Sequence, residues 1–211
     1  MRKAMKILHI VAGMPPESGM AAVVARLAAA EQRLTQEVAV ATTEERGQRS
    51  EVRGQMGEAG VRVVMFGRSW PRAVYFSWGM LWGLGKEVRD VDVVHVHGCW
   101  TFPVWFGAWL ALRYKKVLVM SPHGSFDPVR LQHSAWKKRL VGWMDRWLLR
   151  RASVVHATCE GEKRWVQAFL KLETGNLKLG GALRVERPRI VVIPNGVGEV
   201  SVSVNKSNKC Q

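Results

Sequence analysis

The chain has 211 residues, 47% of them hydrophobic, enough to fill the core of a single large α/β domain. With 32 Lys and Arg against 17 Asp and Glu, the formal net charge is +15, so partners should be anionic: phosphate-bearing molecules, anionic lipid head groups or nucleic acid. Cys99, Cys159 and Cys210 are far apart and odd in number, which excludes a disulfide scaffold, offers no metal-ligand spacing and suits a reducing compartment.

Met1 to Lys6 is basic like the start of a secretion signal, but Ile7 to Ala12 is interrupted by His9 and followed by Gly13-Met14-Pro15-Pro16. It reads as a first strand and its turn, and a cytoplasmic location is expected. Strand-length apolar runs then alternate with helix-length amphipathic stretches. Strands are predicted at Lys6–Val11, Glu37–Thr42, Val61–Phe66, Asp92–Val96, Val117–Met120, Ser153–Ala157 and Ile190–Ile193. Helices are predicted at Met20–Arg33, Ser50–Ala59, Pro71–Val88, Phe102–Tyr114, Trp136–Arg151 and Glu160–Phe169. The strands are short and unbroken, as in strands covered on both faces, and the repetition implies a doubly wound, Rossmann-like parallel α/β sheet of about seven strands. Residues 1–197 form that domain, and 198–211 read as a polar, disordered tail.

Such a sheet places its ligand site outside the carboxyl ends of its strands. Four loops there carry candidate chemistry. Gly13 and Gly19 in the first either let the backbone approach a ligand, with free amides at the helix start attracting phosphate, or shape an ordinary βα turn; neither a dinucleotide fingerprint nor a P-loop is present. In His95-Val96-His97-Gly98-Cys99-Trp100, period two puts both histidines on one side of the strand. No third ligand with motif spacing supports a zinc pair, so His97 lines the cleft and His95 is satisfied within the sheet. His123, between Pro122 and Gly124, either donates to a sugar hydroxyl or carbonyl or is a solvent-exposed turn histidine. In the fourth loop Thr158 can cap a helix whose positive end favours Glu160 and Glu162.

Together, MKILHIVAGMPPESGM (5–20), DVVHVHGCW (92–100), SPHGSFDP (121–128), KKRLVGWMDRWLLRRASVVHATCEGE (137–162) and IVVIPNGV (190–197) resemble the family 4 retaining glycosyltransferases of GT-B fold, by their order and spacing. The resemblance implies the N-terminal, acceptor-side domain of a two-domain enzyme. By that resemblance Ser18 and Gly19 approach the donor phosphates, a partial match to the Gly-Gly of many members. It likewise makes His123 the catalytic residue contacting the donor sugar. Further substrate contacts, His97 lining the cleft and Gly98, Trp100, Phe126, Asp127 and Arg130 facing the acceptor, complete the site. No metal or cofactor is implied, the nucleotide sugar being a co-substrate.

In the family the donor domain begins just beyond the Ile-Pro-Asn-Gly-Val segment and carries the diphosphate-binding basic residues and a Glu-x7-Glu motif, none of which is in this sequence. The chain is therefore expected to be inefficient alone and to need a donor domain, for instance on a separate polypeptide. Leu131 to Arg151 sets Leu140, Trp143, Met144, Trp147 and Leu148 on roughly one face among Lys137, Lys138, Arg139, Arg146, Arg150 and Arg151. That suits either an interfacial helix on an anionic membrane, at the inner face of the plasma membrane and beside a lipid-linked acceptor, or a core-facing helix with a basic outer side. The expected function is sugar transfer from a nucleotide sugar in polysaccharide biosynthesis. A non-catalytic membrane-associated partner and a basic nucleic-acid-binding module are the alternatives, the latter without any recognised RNA- or DNA-reading motif.

Overall fold

The computed structural model describes residues 4–15, 18–34, 37–44, 51–132, 135–171 and 188–195, without the side chains of 51–53, 135–140 and 171. Its strands are β1 (Lys6–Val11), β2 (Glu37–Glu44), β3 (Arg62–Gly67), β4 (Val93–His97), β5 (Val117–Ser121), β6 (Val154–Ala157) and β7 (Arg189–Val192). They pair throughout in parallel as a seven-stranded sheet of order β3-β2-β1-β4-β5-β6-β7. The order reverses between β1 and β4, so the crevice beyond their carboxyl ends is the topological position for a ligand. The predicted tail at 198–211, and Gly196 and Val197, lie outside the described residues.

The helices are α1 (Gly19–Arg33), α2 (Glu51–Glu58), α3 (Trp78–Arg89), α4 (Phe102–Arg113), α5 (Pro128–Gln132), α6 (Ala135–Arg151) and α7 (Glu160–Lys171). Ser18 starts α1, its Oγ accepting from the Ala21 amide at 3.3 Å. Ala21, Val24, Ala25 and Ala28 then bury one helical stripe against Val11, Val38 and Val40. The opposite face of the sheet, with Leu8, Ile10, Val94, Val96, Leu118 and Val155, packs under α3, α4, α6 and α7. There α4 lies so close to β1 that a Cβ on Gly107 would stand 2.4 Å from Ile10 Cδ1.

Two predicted elements differ. The single helix expected over Pro71–Val88 is one 3₁₀ turn at Arg72–Val74 and then α3. Tyr75 between them is left-handed (φ 59°), which no α-helix accommodates, and Ser77 caps the new helix, its Oγ accepting from Met80 N at 3.1 Å. The apolar residues of α6 do not share one face: Leu148 is fully buried and Met144 packs on the core, whereas Trp143 and Trp147 are exposed. The side chains of Lys137, Lys138, Arg139 and Leu140 lie outside the described residues.

Candidate functional site

Parallel pairing puts His9 of β1 opposite His95 of β4, and His97 opposite Ser121 of β5. Residues paired across strands share a face, as do residues two apart, so His9, His95, His97 and Ser121 form one polar patch near the carboxyl ends. Two hydrogen-bonded rows run through it. In the first, Glu31 of α1 meets His9 (Oε2 to Nε2, 2.6 Å), His9 Nδ1 meets His97 Nε2 at 2.9 Å, and His97 Nδ1 meets His123 Nε2 at 2.9 Å. In the second, His95 Nε2 meets Ser121 Oγ at 2.7 Å and Ser121 Oγ meets His156 Nδ1 at 2.8 Å. There His156 Nε2–H donates to the Ile193 carbonyl at 2.8 Å.

His9 is fully buried and His97 is 1% exposed, while His123 is half-buried at the end of its row. Burial, reinforced by neighbouring imidazoles, holds His95 and His97 well below the usual histidine range. Burial likewise brings His123 down to about 4, opposed by Glu162. These rings are neutral near pH 7. His123 itself is left-handed (φ 51°), followed by Gly124 at φ 72°. That tight turn is clamped by Glu162, whose Oε1 accepts from Gly124 N at 2.6 Å and whose Oε2 accepts from Thr158 N and Oγ1, both at 2.7 Å. Glu162 thus joins the β5 and β6 loops. The cap of α7 comes from Cys159, whose Sγ accepts from Glu162 N at 3.4 Å, and not from Thr158.

The residues read from sequence as acceptor-facing separate into two groups. Gly98 (φ 87°) lies at the switch point: its amide donates to Ser121 O at 2.8 Å, and a Cβ there would meet the Met20 sulfur at 3.5 Å. The α1 start at Ser18-Gly19-Met20, the β4 loop and His123 therefore share one end of the sheet. Trp100 and Phe126, by contrast, turn into the core. Phe126 is 1% exposed and stacks on Phe169 at 4.3 Å between ring centres, with Trp100 edge-on to both. Phe126 cannot touch an acceptor from there, because its ring is spent on packing. Asp127 Oδ1 accepts from Val129 N at 2.8 Å at the start of α5, and Arg130 is exposed on that helix.

Under this aromatic group lies Asp145, fully buried, accepting from Trp105 Nε1 at 2.9 Å and Trp100 N at 3.3 Å. Burial outweighs these hydrogen bonds and raises its carboxyl to about 6. The nearby buried Cys99 thiol is pushed well up by burial and by Asp145, so it is no nucleophile.

Sequence reasoning missed His9, Glu31, Ser121 and His156. Only strand order and register bring them beside His97, and neither is visible in local spacing. The third histidine that a zinc pair lacked does come from β1: ring nitrogens of His9, His95 and His97 lie within 4.8 Å of one another. Yet His9 Nδ1 and His97 Nε2 face each other at 2.9 Å and share a proton, so the trio stands as a hydrogen-bonded cluster.

Among solved structures, HepE of Anabaena, determined in complex with UDP and glucose, is 17% identical, with TM-score 0.56 over 92% of this chain and 45% of its own. Sucrose-phosphate synthase of Thermosynechococcus elongatus is 12% identical, with TM-score 0.55 over 90% of this chain and 48% of its own. The chain thus spans a little under half the length of either protein and has the Rossmann-like architecture of one half of the GT-B fold. No curated protein matches it. A family model described as a glycosyl transferase 4-like domain matches residues 18–196, and the chain belongs to that family.

Proposed function

We propose that this domain is the acceptor-side half of a retaining glycosyltransferase, acting with a donor-binding domain that holds the nucleotide sugar. The observation that carries the reading is the half-buried His123, held in a left-handed turn at the carboxyl end of β5 beside the switch point, where Ser18-Gly19 and Gly98 also lie. A glycan hydroxyl of the acceptor and the donor sugar would meet there, with His123 as the contacting side chain. Charge on the leaving diphosphate would be stabilised by protein groups rather than a metal or cofactor. The relative solved with UDP and glucose supports a nucleotide-sugar donor.

A membrane-bound acceptor, as in polysaccharide biosynthesis, is the finer part of the proposal. It is supported by Trp78 and Trp82 on α3, Trp109 on α4 and Trp143 and Trp147 on α6, all exposed on adjacent helices of one layer. Exposed Lys86, Arg89 and Arg113 belong to the same layer, and Arg151 stacks on Trp147 at 4.3 Å. Such tryptophan and basic side chains suit shallow docking on anionic lipid. No described helix is long and apolar enough to cross a membrane.

The test is transfer from nucleotide sugars by the chain alone and with a donor-binding domain supplied in trans or fused after Val197. Negligible turnover alone, and restored turnover with retained anomeric configuration, are expected. His123→Ala should then lower kcat by about a hundredfold, the scale for losing one contact to developing charge. Full metal-independent activity of the chain by itself would overturn the half-enzyme reading.

A further inference from the structure

A neutral imidazole carries one N–H and one lone pair, so a row of hydrogen-bonded rings has a direction fixed by whatever anchors its end. The row through Ser121 is anchored by the Ile193 carbonyl, which only accepts. His156 must therefore hold its proton on Nε2, Ser121 must donate to His156 Nδ1, and His95 Nε2–H must donate to Ser121. The other row is anchored by a carboxylate. Glu31 Oε2 accepts from His9 Nε2–H at 2.6 Å, leaving His9 Nδ1 to accept from His97 Nε2–H and His97 Nδ1 to accept from His123 Nε2–H. What remains is the Nδ1 lone pair of His123, which no described residue engages.

We infer that Glu31, acting through His9 and His97, is a positioning residue that makes His123 present Nδ1 as an acceptor in the cleft, and that one proton taken up there reverses the row.

The reversal balances. A proton leaving a hydroxyl in the cleft binds His123 Nδ1, the hydroxyl oxygen keeping its electron pair. His123 Nε2–H breaks as its proton passes to His97 Nδ1, and His97 Nε2–H breaks as its proton passes to His9 Nδ1. Each ring along the way is neutral again, and the positive charge stands on His9 against the Glu31 carboxylate. The surroundings favour that end. Among the described residues His97 faces His9, His95 and His123, with His156 further off, and no carboxylate, and burial disfavours charge on it. His123 faces His97 and His156, and the Glu162 carboxylate of α7, which accepts from Gly124 and Thr158, favours charge on it without outweighing burial. His9 faces His95 and His97 from β4, and among the described residues it alone of these rings is in contact with a carboxylate, that of Glu31 from α1. The neighbouring row ends on a neutral carbonyl and has no such place for charge, which makes it an internal control.

The use of this device in sugar transfer rests on the reading above; the device itself does not, and its test needs no donor or acceptor. In the ¹⁵N-labelled 211-residue chain, long-range ¹H–¹⁵N correlations report the protonated nitrogen of each imidazole. Above neutral pH, His9, His97 and His123 should all be Nε2–H tautomers. On acidification the doubly protonated ring should be His9, with His97 and His123 switching together to Nδ1–H and His95 and His156 unchanged. In Glu31→Gln the amide oxygen still accepts from His9, so the alkaline tautomers should persist while the transition moves to lower pH, the carboxylate that faces the charge being gone. His123 as Nδ1–H at alkaline pH, charge first on His123, or an unshifted Glu31→Gln transition would each overturn the inference. So would zinc moving the His9, His95 and His97 nitrogen signals together. The wild-type tautomers decide the matter even if the variant does not fold.

Discussion

The carboxyl ends of β4 and β5, each taken with the loop that follows, hold two residues of opposite fate. His97 and His123 lie in the polar row on the α1 side of the sheet, whereas Trp100 and Phe126, three residues further on in each loop, pack with Phe169 on the other side. Both loops cross by the same means: Gly98 (φ 87°) and Trp100 (φ 66°) in one, His123 (φ 51°) and Gly124 (φ 72°) in the other. Left-handed residues reverse the chain within a turn, so nearness in sequence does not carry a side chain into the same environment. One arm of each loop presents chemistry, and the other anchors it.

The largest expected effect separates the two arms by stability. Phe126→Ala removes a 1%-exposed ring from the aromatic group and should cost about 3–5 kcal/mol. His123→Ala takes away a half-buried side chain and should cost no more than about 1–2 kcal/mol, while removing the cleft contact. Urea unfolding of both variants checks this. Equal losses would mean that His123 is an anchor as well, and the contrast between the arms would fail.

The second effect is on pH dependence, where the arms have opposite signs. His123 is lowered to about 4 in the folded chain, so between that pH and its ordinary value the unfolded state binds the proton more readily and stability rises with pH. Asp145 is raised to about 6, so between its ordinary carboxyl range and that pH the folded state holds the proton and stability falls as pH rises. In the wild type the two partly cancel across mildly acidic pH. Asp145→Asn should unmask the rise, steepening the curve by up to about 1.4 kcal/mol per pH unit. Unfolding free energies from pH 4 to 7 for wild type and variant test it; an unchanged curve would show that Asp145 does not stay protonated in the fold.

The order of elements was legible because each strand is a short β-branched run and each helix carries its apolar stripe, as in Ala21, Val24, Ala25 and Ala28. His97, Gly98 and His123 could be picked out because Gly and Pro mark the turns where a parallel sheet exposes its carboxyl ends. The environment of Phe126 was not legible, since a loop aromatic looks the same whether it lines a cleft or fills a core. The row from Glu31 to His123 was hidden for another reason. Its members are spread over α1, β1, β4 and the β5 loop, and only pairing His9 with His95 aligns them. A helix face hid its partition too: Trp143 and Leu148 both fit an apolar stripe, yet one is 59% exposed and the other fully buried.

That last difference sets the smallest and most specific expectation. If the basic, tryptophan-bearing layer of α3, α4 and α6 docks on anionic lipid, affinity should come from the exposed rings and not from the buried stripe. Trp82 is 84% exposed and Trp143 59%, so replacing both with Ala should leave unfolding within about 0.5 kcal/mol of wild type. The same pair should weaken cosedimentation with phosphatidylserine-containing vesicles, where each interfacial aromatic adds shallow apolar burial to a salt-sensitive attraction. Wild-type binding should fall with added salt, as screening acts on the charged half of the interaction alone. Undiminished binding by the double variant would move the interface off this layer, to the α1–α2 side or to residues outside those described. Loss of binding together with loss of stability would instead return the two tryptophans to the core, and the contrast between exposed and buried faces of α6 would no longer hold.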